Sequence, residues 1–393
     1  MSSADLSYEQ AAREPGRVTS WRLAADSVPL WEAARPRWAR LSERGDALPF
    51  QRVPWLDAWY RHCVEPGVEP LIVFVQDLES GKDVLGLPLI RLREGMKRVV
   101  TFADGGLTDY NAPAIGPGFV DRNNGRHLWQ ALRRALPRVD LIRFEKMPLA
   151  IDARPNPLAG LPGISPSSLI GNILHVPGSW EDWHWGLERT FRKELERAGR
   201  VFEKNSSAAF RRYEAGPEAD RVFGELKRMQ AMRIAELSLP YALDSEPALS
   251  FYDEIAREGL KNGTAILTAL TIGDEVVAAL LGITDGTHYA MTRLATPGQQ
   301  WKNFSPGRLL IERTMKMLHA DGFRAFDFTI GDYSYKRRIG VTPVPMVQAT
   351  IAMSPLGWWD MGKDRAKAAI KRNAILLDTI RKIRGRTDEA PTH

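Results

Sequence analysis

The stretch KNFSPGRLLIERTMKML, residues 302–318, decides how this chain is read. Ser305 stands where a helix cap is expected. Pro306 suits the first helical position, because its missing N–H has no intrahelical partner to lose, and Gly307 lets a ligand come close to the backbone. Apolar residues at helical spacing follow from Leu309. The stretch comes directly after HYAMTRLATP (288–297), an alternating strand. A strand that runs into a helix start of small residues builds an anion site, in which free N–H groups and the positive end of the helix dipole face a phosphate. Lys302 and Arg308 add charge to it. Read alone, Ser-Pro-Gly is equally an efficient helix start.

Downstream, RAFDFTI (324–330) reads as a strand that stops at Gly331 and turns aromatic and cationic in DYSYKRRIG (332–340). Gly-Asp after a strand is a common turn, with Asp332 able to cap a short helix YSYKRR. Upstream, SWRLA (20–24) is a first strand, PLWEAARPRWARLSER (29–44) and PWLDAWYRHCVE (54–65) are helical, and residues 69–95 form a hairpin turning at LESGKD. KRVVTFADGG (97–106) is a strand, NGRHLWQALRRALP a helix with Asn124 as its cap, and VDLIRFEKM (139–147) a strand. The Pro- and Gly-rich RPNPLAGLPGISPSS (154–168) breaks the periodicity and marks a domain boundary. The order then recurs: strand AAFRRYEA, two helices, a hairpin turning at Gly273 and Asp274, strand HYAMTRLA, a helix, FDFTI, and a last strand MVQATIAM. Two halves with one element order point to an α/β (α+β) protein of two tandem domains, each a mixed, mostly antiparallel sheet flanked by helices. The expected division is 1–18 as a disordered start, 19–160 and 161–356 as the two domains, and 357–393 as a basic amphipathic helix and tail.

Composition bounds the partners. A formal charge of +6 and a pI near 9.4 favour an anionic ligand without naming it. The basic residues concentrate in ERTFRKELERAGRVFEK (188–204) and KDRAKAAIKRNAILLDTIRKIRGR (363–386), each with apolar residues at helical spacing. Cys63 is the single cysteine, and the seven histidines form no metal-binding pair, so no metal is expected. No leader and no long apolar span is visible, and the expectation is a cytoplasmic chain. Trp358 and Trp359 beside the second basic run suit either an anchor at the inner face of a membrane or a helix covering the sheet. No aromatic and basic stripe suggests stacking on bases, so nucleic acid is an unexpected partner.

Five blocks in order, FQRVPWLDAW (50–59), LTDYNAPAIG (107–116), FRKELERAGR (191–200), FSPGRLL (304–310) and FDFTIGDYSYKRRIG (326–340), resemble the tandem-domain CelD/BcsL-like and Fem-like branch of the GNAT acyltransferase superfamily, associated with bacterial polysaccharide and cell-wall synthesis. That resemblance implies an acyl-CoA site in the second half, with acetyl-CoA as co-substrate. Its pyrophosphate would lie on the loop from Lys302 to Gly307, where Ser305 replaces the first of the family's loop glycines, with Arg308 adjacent. The thioester would lie between HYAMTRLA and FDFTI, against the backbone of Arg293 and Leu294. Asp332 would then orient or deprotonate the acceptor, Tyr335 would protonate the leaving sulfur or bond a sugar hydroxyl, and Lys336 would contact an anion. The first half, without a counterpart of Ser-Pro-Gly, would form an acceptor wall through Asp109 and Tyr110. Arg192 and Arg197 on the basic helix would meet a sugar nucleotide, a lipid-linked sugar or an oligosaccharide. The function implied is direct N- or O-acylation of a polysaccharide precursor. The alternatives are Fem-like aminoacyl-tRNA-dependent peptide transfer and an inactive GNAT-like scaffold of a polysaccharide synthase.

Overall fold

The computed structural model describes residues 22–119, 125–237, 245–298 and 301–363. The first half runs β1 (Leu23–Val28), α1 (Trp31–Arg44), α2 (Val53–His62), β2 (Val68–Asp77), β3 (Lys82–Glu94), β4 (Lys97–Phe102), β5 (Ala114–Ile115), α3 (Arg126–Ala135) and β6 (Leu141–Pro148). A small hairpin, β7 (Ala150–Ile151) and β8 (Arg154–Pro155), leads to β9 (Ile164–His175), α4 (Trp180–Gly186) and α5 (Arg189–Glu203). The second half runs β10 (Ala208–Tyr213), α6 (Pro217–Leu237), α7 (Glu246–Asn262), β11 (Ala265–Ile272), β12 (Glu275–Thr284), β13 (His288–Ala295), α8 (Pro306–Ala320) and β14 (Ala325–Asp327). It closes with α9 (Ser334–Ile339) and β15 (Thr342–Ala352).

The halves repeat as the element order requires. Each has one parallel pair where a helix crosses over, β4 with β6 and β13 with β14, and antiparallel pairing elsewhere. The two sheets are one, however. Thirteen strands join in the order β1-β2-β3-β4-β6-β15-β9-β14-β13-β12-β11-β10, with β5 on β3. The halves exchange their last strands: β9, which follows the first half, pairs with β14, and β15, which ends the second half, pairs with β6. β9 and β15 also pair with each other. Residues 164–168, read as linker, are therefore the start of a strand in the middle of the sheet. Three prolines, Pro166, Pro343 and Pro345, are tolerated there because the ladder carries a bulge between Pro345 and Val347.

Helices cover both faces of the second half. On β11, Ala265, Leu267 and Ala269 pack into a core with α6 and α7, while Ile266 and Leu270 pack with α5 and α8. This is the period-two alternation of a strand buried on both sides. The first of these cores continues across the halves: Trp55 on α2 lies edge-on to Phe251 on α7, at 4.7 Å between ring centroids. Nearby, the buried Glu254 carboxylate takes the His62 ring nitrogen at 2.7 Å and a guanidinium bond from Arg61. The Asn124 cap falls outside the described residues, and α3 starts from Gly125 in the left-handed conformation.

Candidate active site

β13 and β14 run side by side only from His288 opposite Ala325 to Ala290 opposite Asp327, and then part. Two local features separate them. β13 carries a bulge at Thr292, whose hydroxyl donates to the Leu281 carbonyl at 2.9 Å and re-aims the strand. Thr329 adopts φ 56°, a left-handed backbone that a β-branched residue rarely takes, which ends β14 two residues earlier. The expected strand FDFTI is thus three residues long, Ala325–Asp327. Between the parted strands lies a cleft of about 800 Å³, lined by Met291–Thr296, the start of α8 from Ser305 to Arg308, Phe328–Ile330, and Tyr333, Tyr335 and Lys336.

The start of α8 forms one wall. Ser305 has φ 48° and makes no capping bond with its side chain. Its hydroxyl instead accepts from Arg308 Nη2 at 2.7 Å, while its carbonyl accepts the Arg308 and Leu309 amides. A Cβ on Gly307 would come within 3.3 Å of Thr296 and 3.7 Å of Leu294, both of which line the cleft. The missing side chain at Gly307 thus leaves the start of α8 open to the cleft, where the positive end of a helix favours an anion.

The opposite lip, residues 328–331, is held against its strain. Lys336, 2% exposed, donates from Nζ to the carbonyls of Phe328 (2.7 Å), Thr329 (3.2 Å) and Ile330 (3.1 Å). Asn172 on β9 donates to Thr329 O and Gly331 O, each at 2.9 Å, and the Asp327 carboxylate takes the Thr329 amide at 2.6 Å. A conformation fixed by this many bonds persists despite an unfavourable φ.

Behind the lip a polar cluster joins the halves. Tyr110 Oη donates to Asp327 Oδ1 at 2.9 Å, and His288 Nε2 lies 3.3 Å from Asp327 Oδ2. Burial opposes charging of His288, but the neighbouring Asp327, Asp285 and Asp152 raise its pKa above the ordinary value. Asp109 bonds the Thr329 side chain, and burial pushes its carboxyl up to about 6, helped by Asp327 and Asp104 and opposed by Lys146. Lys146 is paired with Asp104 at 2.9 Å. Burial pushes the Tyr335 phenol up to about 12 and the Lys336 ammonium down to about 8.

The expected site residues are only partly assembled. Ser305, Gly307, Arg308, Leu294, Tyr335 and Lys336 line the cleft, and Asp109 stands behind its lip. The Lys302 side chain lies outside the described residues. Arg293 lines the cleft as well, on β13, with its side chain 2% exposed, its Nε donating to Gln230 at 2.6 Å and its guanidinium covering Tyr252. Tyr110 is buried with its hydroxyl committed to Asp327, so it presents nothing to an acceptor. The three donors of Lys336 are spent on carbonyls rather than on an anion. Asp332 is exposed and paired with Arg337, and it does not cap α9, whose N-cap is Tyr333 without a side-chain bond. Arg192 packs over Trp185 and donates to its carbonyl at 3.0 Å, whereas Arg197 is exposed in a hollow shared with Ser305 and Arg308. Sequence reading missed Asp327, which it left unremarked within the strand FDFTI, and Arg233 on α6, whose helix lines the far side of the cleft.

Residues 189–337 match the family described as "Acetyltransferase (GNAT) domain". That match lies in the second half and covers well under half of the 393 residues. No curated protein matches the sequence. Among solved structures, FemX is similar over 82% of this chain and 96% of its own, with a TM-score of 0.55 and 10% identity, which is a likeness of fold. The L-PGS of Bacillus licheniformis aligns over 84% of this chain and 94% of its own (TM-score 0.48, 14% identity). A tandem GNAT protein from the clavulanic acid biosynthesis pathway aligns over 84% and 99% (TM-score 0.45, 15% identity). The GNAT match contains α6, the bulged β13, the start of α8 and the lip, so every element lining the cleft lies within it. Among the described residues no group of three or more His, Cys, Asp or Glu side chains is placed to hold a metal ion.

Proposed function

We propose that the GNAT domain transfers an acyl group, acetyl in the first instance, from acyl-CoA to an amine or hydroxyl of a sugar precursor or lipid-linked intermediate of a surface polysaccharide. The observation that carries this reading is the parting of β13 and β14 beside the start of α8. A pyrophosphate at Gly307, with Arg308 and Arg233 as cations, lets the thioester arm run into the gap between the strands. In direct transfer the acceptor attacks the thioester carbon, the new C–N or C–O bond forms as the C–S bond breaks, and two protons move. Asp109, with a carboxyl near 6, is largely ionised at neutral pH and suits the proton leaving the acceptor. Tyr335, held near 12, keeps its proton until a thiolate takes it.

A sugar acceptor is supported by the mouth of the cleft. Tyr333, 60% exposed, is stacked with Tyr335 at 6.1 Å and 27°, a flat apolar platform of the kind that takes the C–H face of a pyranose. Thiol release from acetyl-CoA, measured against amino and neutral hexoses and their nucleoside diphosphates, tests this. The expected result is turnover with at least one of them and a raised acceptor KM in Tyr333→Ala with kcat little changed. Turnover only with non-sugar acceptors, or a Tyr333→Ala enzyme indistinguishable from the parent, contradicts the sugar assignment.

A further inference from the structure

After β15 the chain turns into a helix over residues 355–363 that docks on the first half. Gly357 sits so close to the Asp140 carbonyl that a Cβ would stand 1.9 Å from its oxygen, and Asp360 accepts from Lys97 Nζ at 2.5 Å. With these positions turned inward, helical geometry turns Pro355, Trp358, Trp359 and Gly362 outward. All four are exposed, Trp358 by 62% and Trp359 by 65%, and none is charged. A solvent-facing helix side ordinarily carries charge, and adjacent exposed indoles mark a surface with a partner. Met96, 86% exposed at the tip of the β3–β4 hairpin, precedes Lys97, whose ammonium reaches Asp360 on the same helix. Around it Arg93 stands opposite Arg98 across the hairpin, Arg98 is paired with Asp140 and Lys97 with Asp360 and Glu94, and Lys363 lies over the Trp359 ring at 5.2 Å. The sequence that follows, 364–386, holds eight Lys or Arg against two Asp.

We propose that this face docks on an anionic lipid bilayer, with Trp358, Trp359 and Met96 entering the head-group region and the nearby cations meeting phosphates. Indoles favour that depth because the ring is apolar and its N–H finds polar partners, and each nearby cation adds attraction to an anionic leaflet. The basic sequence that follows the helix, and the +6 charge of the chain, favour an anionic bilayer over a second copy as occupant. The patch lies at the opposite end of β15 from the cleft, roughly 30 Å along the strand, so the proposal stands independently of the acyl-transfer reading.

The full chain, mixed with vesicles of 3:1 phosphatidylcholine and phosphatidylglycerol, is expected to co-sediment at least tenfold more strongly than with phosphatidylcholine alone. Trp358→Ser with Trp359→Ser is expected to lower partitioning at least tenfold, and Met96→Ser about threefold, with the melting temperature unchanged because these side chains are exposed. Binding by the double variant equal to the parent would place all attraction in the basic sequence beyond residue 363 and overturn the proposal. So would absence of binding to both vesicle types, or a concentration-dependent dimer that the double variant alone dissolves.

Discussion

Asp109 is held at a cost that its chemistry explains. Burial raises its carboxyl to about 6, above the ordinary value, so between about pH 4 and 6 the folded chain binds more protons than the unfolded one. Stability from this group is therefore greatest at low pH and falls as pH rises through 6. A shift of this size corresponds to about 3 kcal/mol at neutral pH. Asp109→Asn is expected to raise the unfolding free energy at pH 7.5 by about 1–2 kcal/mol while lowering kcat at least 100-fold. In the parent, kcat should decline as pH drops through about 6, and a pH–rate profile with chemical denaturation of both proteins checks each part. Lys336 makes a different prediction. Lys336→Met strips three carbonyls of their shared donor and is expected to cost about 2–4 kcal/mol in denaturant unfolding. These roles were only half legible. The family resemblance puts Lys336 and Asp332 beside the reacting centre, but burial decides their use: the lysine turns in to hold the lip, and the aspartate stays in solvent with Arg337.

At the scale of elements, hairpins and helices followed from their periodicity, and both failures came from the centre of the sheet. FDFTI has strong strand propensity, yet its last residues leave the ladder because Asp327, Asn172 and Lys336 together fix Thr329 in a left-handed conformation that no propensity foretells. β9 was hidden by Pro166 and Gly171, residues that usually break strands. Gly171 is there for a contact: the Tyr110 ring crosses it so closely that a Cβ would meet the hydroxyl at 2.3 Å. Gly171→Ala is expected to displace Tyr110 from Asp327 and cost about 2–3 kcal/mol, more than Tyr110→Phe, which loses one hydrogen bond worth about 1 kcal/mol. Thermal melts of the two variants rank them; equal losses would show that β9 yields to the added methyl.

Across the whole molecule, the duplication was legible in the repeated order of elements, but the exchange of β9 and β15 was not, since pairing partners so distant leave no local trace. The exchange and the shared core predict that the halves unfold together: one calorimetric transition, with van't Hoff and calorimetric enthalpies equal. Glu254→Ala, which breaks the bonds to His62 and Arg61 between α2 and α7, should lower that transition by about 1–2 kcal/mol without splitting it. The interlock also fixes the cleft, because β9 carries Asn172 to the lip and Tyr110 reaches Asp327 from the other half. Acyl transfer by this protein requires the cleft between β13 and β14 to receive acyl-CoA beside α8. Isothermal titration of the full chain with acetyl-CoA tests this most directly. One saturable site per chain is expected, weakened at least tenfold by Gly307→Glu, whose Cβ would press on Thr296 and whose negative charge would repel a pyrophosphate. No heat of binding at high micromolar ligand, or equal affinity in Gly307→Glu, would contradict it.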